Sequence, residues 1–249
     1  MAKKTDLTAL FEKLDYLKLP FIRDNLESSA KEAALKKLSH IDFLKELIEG
    51  ESALRFERTI QRRLRNAKFP YLKTLEQYQW TYPREINRPQ IDNLFRLRFI
   101  DDKENLLFLG GCGVGKTHLS IALAQKACQK GYNVLFTSAI DIINTLSTEK
   151  AMHNLDQALK KYLSVQLLLI DELGYLPIDK QGADLLFQVI SKRYERGSIL
   201  LTSNRAFKDW PEIFNNDSTI TSAILDRLLH HSQVVIIDGK SYRMKDKES

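Results

Sequence analysis

The run Gly110-Gly111-Cys112-Gly113-Val114-Gly115-Lys116-Thr117 fits G-x-x-x-x-G-K-[ST], the pattern of a phosphate-binding loop. Such a loop constrains the fold around it, because it needs a buried strand before it and a helix after it. Residues 105–109 (Asn-Leu-Leu-Phe-Leu) supply an apolar strand, and His118 to Ala127 reads as a helix. Glycines at 110, 113 and 115 permit a tight turn and close approach of the backbone to a ligand. The loop N–H groups and the helix N-terminus then form a cradle for phosphate oxygens, Gly110 through His118 being the contact stretch. Lys116 is placed to reach the β- and γ-phosphates, and the Thr117 hydroxyl to hold magnesium. The pattern predicts a site for ATP or GTP. A dinucleotide fingerprint fits worse: it needs G-x-G-x-x-G and an acidic residue about twenty positions on, where this chain has Lys130-Gly131-Tyr132-Asn133.

Three further segments supply chemistry. Leu167-Leu168-Leu169-Ile170-Asp171-Glu172 reads as a buried strand ending in acids, which places them at the carboxyl edge of a parallel sheet. Asp171 is a magnesium ligand in this reading, and Glu172 polarises a water for attack on the γ-phosphate. Leu200-Leu201-Thr202-Ser203-Asn204 is another apolar strand with a polar end. Asn204 either orients that water or caps a turn. Arg227, next to Asp226 in an otherwise apolar helix, is either a surface charge or a finger reaching a neighbouring subunit's nucleotide. His230 and His231 read as helix-end residues, and no Cys/His spacing supports zinc.

From residue 105 onward, apolar strands (105–109, 133–137, 166–170, 198–202, 233–237) alternate with helices (139–162, 182–194, 223–230). The 139–162 helix has a weak spot at Ser147-Thr148. This is the pattern of an α/β domain whose parallel sheet is covered on both faces. Residues 1–70 instead read as a small all-helical domain, and 71–104 as a connector ending in an entry helix over Ile91 to Phe99. Within the connector, Tyr71, Tyr78, Trp80 and Tyr82 read as packing aromatics. Between Ala53 and Ala67 the apolar residues share one helical face, and Arg55, Arg58, Arg62 and Arg65 lie nearly opposite. That stripe suits a phosphate backbone, a protein partner or plain solvation. The formal charge of +6 is compatible with a nucleic-acid partner. No stretch reaches the length of a membrane span, the N-terminus lacks a secretory leader, and two cysteines imply no disulfide framework, so a cytoplasmic setting is expected.

Taken with Ile-Leu-Asp-Arg-Leu-Leu-His-His-Ser at 224–232 and Ser-Tyr-Arg at 241–243, these motifs resemble the IstB family, ATP-binding helpers of IS21-type insertion sequences related to the DnaC helicase loader. The resemblance covers almost the whole chain and includes Ala67-Lys68-Phe69-Pro70. It implies an AAA+ P-loop NTPase core at 105–249, ATP and Mg2+ as cofactors, ATP hydrolysis, and ATP-dependent self-assembly on double-stranded DNA. It also implies an interaction with the cognate transposase, to which DNA cleavage would belong. By motif position it makes Lys116, Glu172, Asn204 and Arg227 catalytic, with Arg227 acting between subunits. It makes Lys150, Lys160 and Lys161 DNA contacts, Arg243 a further phosphate sensor or a DNA contact, and Arg55, Arg58, Arg62 and Arg65 contacts to DNA or transposase. One departure is Gly111, where relatives often carry proline. A replicative helicase loader and a non-hydrolysing ATP-binding adaptor are the alternatives.

Overall fold

The computed structural model describes residues 7–80, 86–239 and 241–242. Tyr82 and Arg243 therefore lie outside the described residues. Two compact units divide between Arg62 and Arg63.

The first unit is helical: α1 (Thr8–Tyr16), α2 (Pro20–Lys36) and the N-terminal part of α3 (His40–Ala67). Its core is Leu14, Ile22 and Leu47, with Phe11, Leu19, Leu26 and Phe43 against them. Pro20 occupies the first turn of α2, where its missing N–H costs nothing. That helix has no side-chain cap of its own. Instead the buried Glu51 carboxylate on α3 accepts hydrogen bonds from Phe21 N (2.9 Å) and Ile22 N (3.3 Å). An acid at a helix N-terminus also complements the dipole there. Gly50 lies inside α3 and does not end it; a Cβ there would sit 2.0 Å from the Phe21 ring. Ser39 caps α3, with Asp42 N donating to Ser39 Oγ.

The second unit carries α4 (Arg88–Leu94), α5 (Arg98–Asp101), β1 (Asn105–Leu109), α6 (Lys116–Lys130), β2 (Val134–Ser138), α7 (Ala139–Ala151) and α8 (Leu155–Leu163). It continues with β3 (Leu167–Leu173), α9 (Lys180–Arg193), β4 (Ser198–Ser203), α10 (Trp210–Ile213), α11 (Ser218–Leu229) and β5 (Ser232–Ile236). The five strands form one sheet in the order β2-β3-β4-β1-β5, and every pairing is parallel. Alternate strand residues feed two cores. Leu107, Leu168, Ile170 and Leu201 face the helices α7 to α11. Leu106, Phe108, Leu167, Leu169 and Leu200 face α6 and residues from the 67–100 stretch, among them Ala67, Ile91 and Leu94. Both faces are covered, so the central strands carry continuous apolar runs, with polar residues at their ends.

The helical region expected over 139–162 is two helices. The break lies at His153, which has φ +57°, not at Ser147-Thr148. Thr148 stays helical by returning its hydroxyl to Asn144 O at 3.0 Å, while Asn154 ties the turn to the Glu149 side chain.

Candidate functional site

The order of the strands sets the location of the site. β1 and β4 are neighbours and β3 lies beside β4, so the loop after β1 and the polar ends of β3 and β4 meet at one carboxyl edge. In open α/β sheets that edge is where ligands bind.

Gly113 and Gly115 have φ +76° and +97°, conformations that side chains with a Cβ rarely adopt. Space is equally restrictive there: a Cβ on Gly115 would lie 2.7 Å from the Tyr78 ring, and one on Gly113 2.1 Å from Ser241 Oγ. Lys116 is buried, and its Nζ donates to Gly110 O (2.7 Å) and Gly111 O (2.6 Å). The Thr117 hydroxyl donates to the buried Asp171 carboxylate at 3.0 Å, joining the loop to the end of β3. A hydroxyl and a carboxylate side by side are the hard oxygen donors that Mg2+ prefers. Glu172 is exposed between buried Asp171 and Leu173 and adopts φ +61°. Asn204 reaches the loop, its amide nitrogen 3.9 Å from Cys112 Sγ. Its amide oxygen is buried with no hydrogen-bond partner among the described residues.

The connector completes the surroundings of the loop. Tyr78 Oη donates to Val114 O (3.3 Å), and the His118 ring meets Thr74 O at 2.8 Å through Nε2. Burial holds the His118 imidazole below its ordinary range, the Thr74 carbonyl opposing. His118 thus faces the connector. Tyr242 N donates to Gly113 O (2.9 Å), so residues 241–242 also lie on the loop. Together Tyr71, Lys73, Gln77, Tyr78, Gln79 and Tyr242 enclose, with Gly113 to His118, a cavity of about 290 Å³. A volume near 300 Å³ is the lower end of the range for small-molecule sites. Tyr78 and Trp80 pack into the core as the sequence suggests, and Tyr71 and Tyr78 also line this cavity.

Arg227 is elsewhere. Its guanidinium donates to Ser191 Oγ (3.2 Å) and Ala223 O (3.0 Å) and lies over the Phe187 ring. Asn105, the first residue of β1, donates its side-chain amide to Leu228 O (3.1 Å), which fixes this end of α11 at the amino edge of the sheet. The loop follows the last residue of β1, so roughly 13 Å of strand separates the two. Arg227 does not reach the loop of its own chain. Lys150 and Lys160 share a shallow groove with His153 across the α7–α8 turn, and Lys161 lies over the Tyr162 ring. Arg58, Arg62 and Arg65 are exposed, whereas the Arg55 guanidinium is held by Glu51 and Lys18 O. Among the described residues no helix is long and apolar enough to cross a membrane.

Comparisons with known proteins agree with this fold. The chain is 42% identical over 234 residues, 94% of its length and 88% of the other, to a Pseudomonas aeruginosa protein named for insertion sequence IS21 and for ATP binding. It resembles the crystal structure of the DnaC helicase loader (TM-score 0.52, 21% identity, 66% of this chain and 96% of that one). It also resembles AMPPCP-bound DnaA from Aquifex aeolicus (TM-score 0.56, 22% identity, 72% of this chain), spanning 54% of that DnaA chain. At these identities the structural likeness is one of fold, that of an AAA+ P-loop core. With the sequence profile of the family matching residues 12–249, the chain belongs to the IstB-like ATP binding proteins.

Proposed function

We propose that this protein is an ATP-dependent helper of transposition, which assembles on double-stranded DNA and recruits or activates the transposase of an IS21-type element. The observation that carries its ATP-dependent part is the Thr117–Asp171 hydrogen bond, which brings the loop and the acidic strand end together beside Glu172, while the insertion-sequence part rests on family membership. ATP would lie with its phosphates on residues 110–117 and its base in the cavity beneath Tyr71 and Tyr78. Thr117 and Asp171 would hold Mg2+, which supplies charge neutralisation at the β- and γ-phosphates. Lys116 would exchange its two carbonyl partners for phosphate oxygens. Glu172 is the general base toward a water, and Asn204, whose amide nitrogen reaches the loop at Cys112, orients that water. An adaptor that never hydrolyses ATP has no use for Glu172 and Asn204 in these places.

Arg227 fits a role between subunits because its own loop is out of reach. A head-to-tail interface would bring Arg227 of one copy to the γ-phosphate held by the next, which makes assembly depend on that phosphate. The basic groups Lys150, Lys160, Lys161, Arg58, Arg62 and Arg65 then provide phosphate contacts of low sequence specificity. The relatives' insertion-sequence origin favours a transposase over a replicative helicase as partner. Measuring ATP turnover with and without duplex DNA tests the reading. Turnover that rises on duplex DNA and again with transposase supports it; absence of turnover under every condition contradicts it.

A further inference from the structure

The hydrolytic pair of acids sits on an irregularity in the sheet. β3 and β4 pair residue for residue from Leu167↔Ser198 to Ile170↔Leu201, and then Leu173 pairs with Ser203. Two residues of β3, Asp171 and Glu172, therefore oppose the single residue Thr202, as in a β-bulge. Glu172 takes up the extra length with φ +61°, and this is why it is exposed between two buried neighbours. A bulge interrupts the ladder and leaves backbone groups in need of partners. Thr202, 1% exposed, supplies one: its Oγ1 accepts the Glu172 N–H at 3.0 Å and donates to Asp171 Oδ1 at 2.5 Å. A hydroxyl has one proton, so these roles are fixed. The proton goes to the carboxylate and a lone pair takes the amide. Thr117 approaches the same carboxylate from the loop.

We propose that Thr202 is a positioning residue for ATP hydrolysis: one buried hydroxyl fixes the Asp171 carboxylate and the left-handed backbone of Glu172 relative to each other. The inference rests on the ATPase reading above. Thr202 touches neither phosphate nor water in this scheme; it acts through the two acids. Strand propensity alone would be served equally by valine. The hydroxyl is what the bulge requires.

The test compares wild type with Thr202→Val, Thr202→Ala and Thr202→Ser in the full chain. Hydrogen exchange at the Glu172 amide reads the geometry without turnover, and a fluorescent ADP in EDTA reads nucleotide binding without magnesium. Thr202→Val and Thr202→Ala should lose Glu172 amide protection, retain ADP affinity, and lower kcat on the order of 10²-fold with little change in KM, as expected when a reacting group is misplaced. Thr202→Ser should restore both protection and kcat. If both hydroxyl-free variants keep wild-type protection or wild-type kcat, the proposal is overturned. Loss of ADP affinity in parallel with kcat, or failure of serine to restore activity, also overturns it, because either would mark a packing role. A wild-type protein without turnover would overturn the ATPase reading itself, and is distinguished by its silence before any substitution is made.

Discussion

Substituting Gly115 by alanine should damage the loop through two separable terms. The first is backbone strain: φ +97° is outside the range that a residue with a Cβ adopts readily, at a cost of about 1–3 kcal/mol. The second is collision. The new Cβ would lie 2.7 Å from Tyr78 Cε2 and 3.1 Å from its Oη, and overpacking of that kind costs about 1–3 kcal/mol. Tyr78 cannot yield freely, since it is buried, packs edge-on against Trp80 and His118, and donates to Val114 O. The sum, roughly 2–6 kcal/mol, is a large part of the 5–15 kcal/mol that typically holds a domain folded. Truncating the ring removes the collision but not the strain. A double-mutant cycle of Gly115→Ala with Tyr78→Ala should therefore show a favourable coupling of about 1–3 kcal/mol. Urea unfolding followed by tryptophan fluorescence is a suitable assay, because Trp80 and the buried Trp210 both lie in the second unit. A Gly115→Ala midpoint equivalent to less than about 0.5 kcal/mol of destabilisation, or a coupling of zero, would refute the reasoning.

Three further outcomes are expected. Glu172→Gln should retain ATP and lengthen the lifetime of the protein on duplex DNA while turnover falls at least about 10²-fold, measured by single-turnover hydrolysis and dissociation from labelled DNA; unchanged turnover contradicts its role. Arg193→Met should cost about 1–3 kcal/mol in denaturant unfolding, because the buried guanidinium donates to the carbonyls of Tyr162, Val165, Gln166 and Ser198, all of which would lose a partner. Alkaline pH should destabilise the fold: burial pushes both the Tyr78 hydroxyl and the Cys128 thiol up to about 12, so their neutral forms are favoured in the folded state. The unfolded chain releases these protons first, so stability is intact below about pH 9 and is lost as pH rises toward 12. Cys128→Ala should flatten the early part of that decline in unfolding midpoints measured against pH.

The parts of the fold visible in the sequence are those where burial on both faces left no alternative. Leu167 to Ile170 and Ser198 to Leu201 could only be central strands, and the loop could only follow β1. Features set by single backbone angles or by partners distant in sequence were hidden. His153 breaks a helix at φ +57° with neither glycine nor proline to mark the place. Arg193 looks like an ordinary basic residue near a helix end; its burial depends on Gly197, where a Cβ would lie 2.7 Å from Arg193 Nη2. Thr202 reads as a strand former, and only the Ile170–Leu173 shift in register shows what its hydroxyl does. The loop from Gly110 to Thr117 was legible because its pattern has fixed spacing, and the structure brings Asp171 beside Thr117. The cavity wall contributed by Tyr71, Tyr78 and Tyr242 was not, because its members are far apart in sequence.

If Arg227 acts between copies, each hydrolytic site needs a second copy to complete it, and mixing two inactive variants reads this out. Lys116→Ala removes the phosphate contact and keeps Arg227; Arg227→Ala does the reverse. Each alone should show no DNA-stimulated ATP turnover. Mixed in equal amounts on duplex DNA, they should recover about one quarter of the wild-type rate, the chance that a head-to-tail interface pairs an intact loop with an intact arginine. A mixture as inactive as its components, or Arg227→Ala active by itself, would contradict the claim.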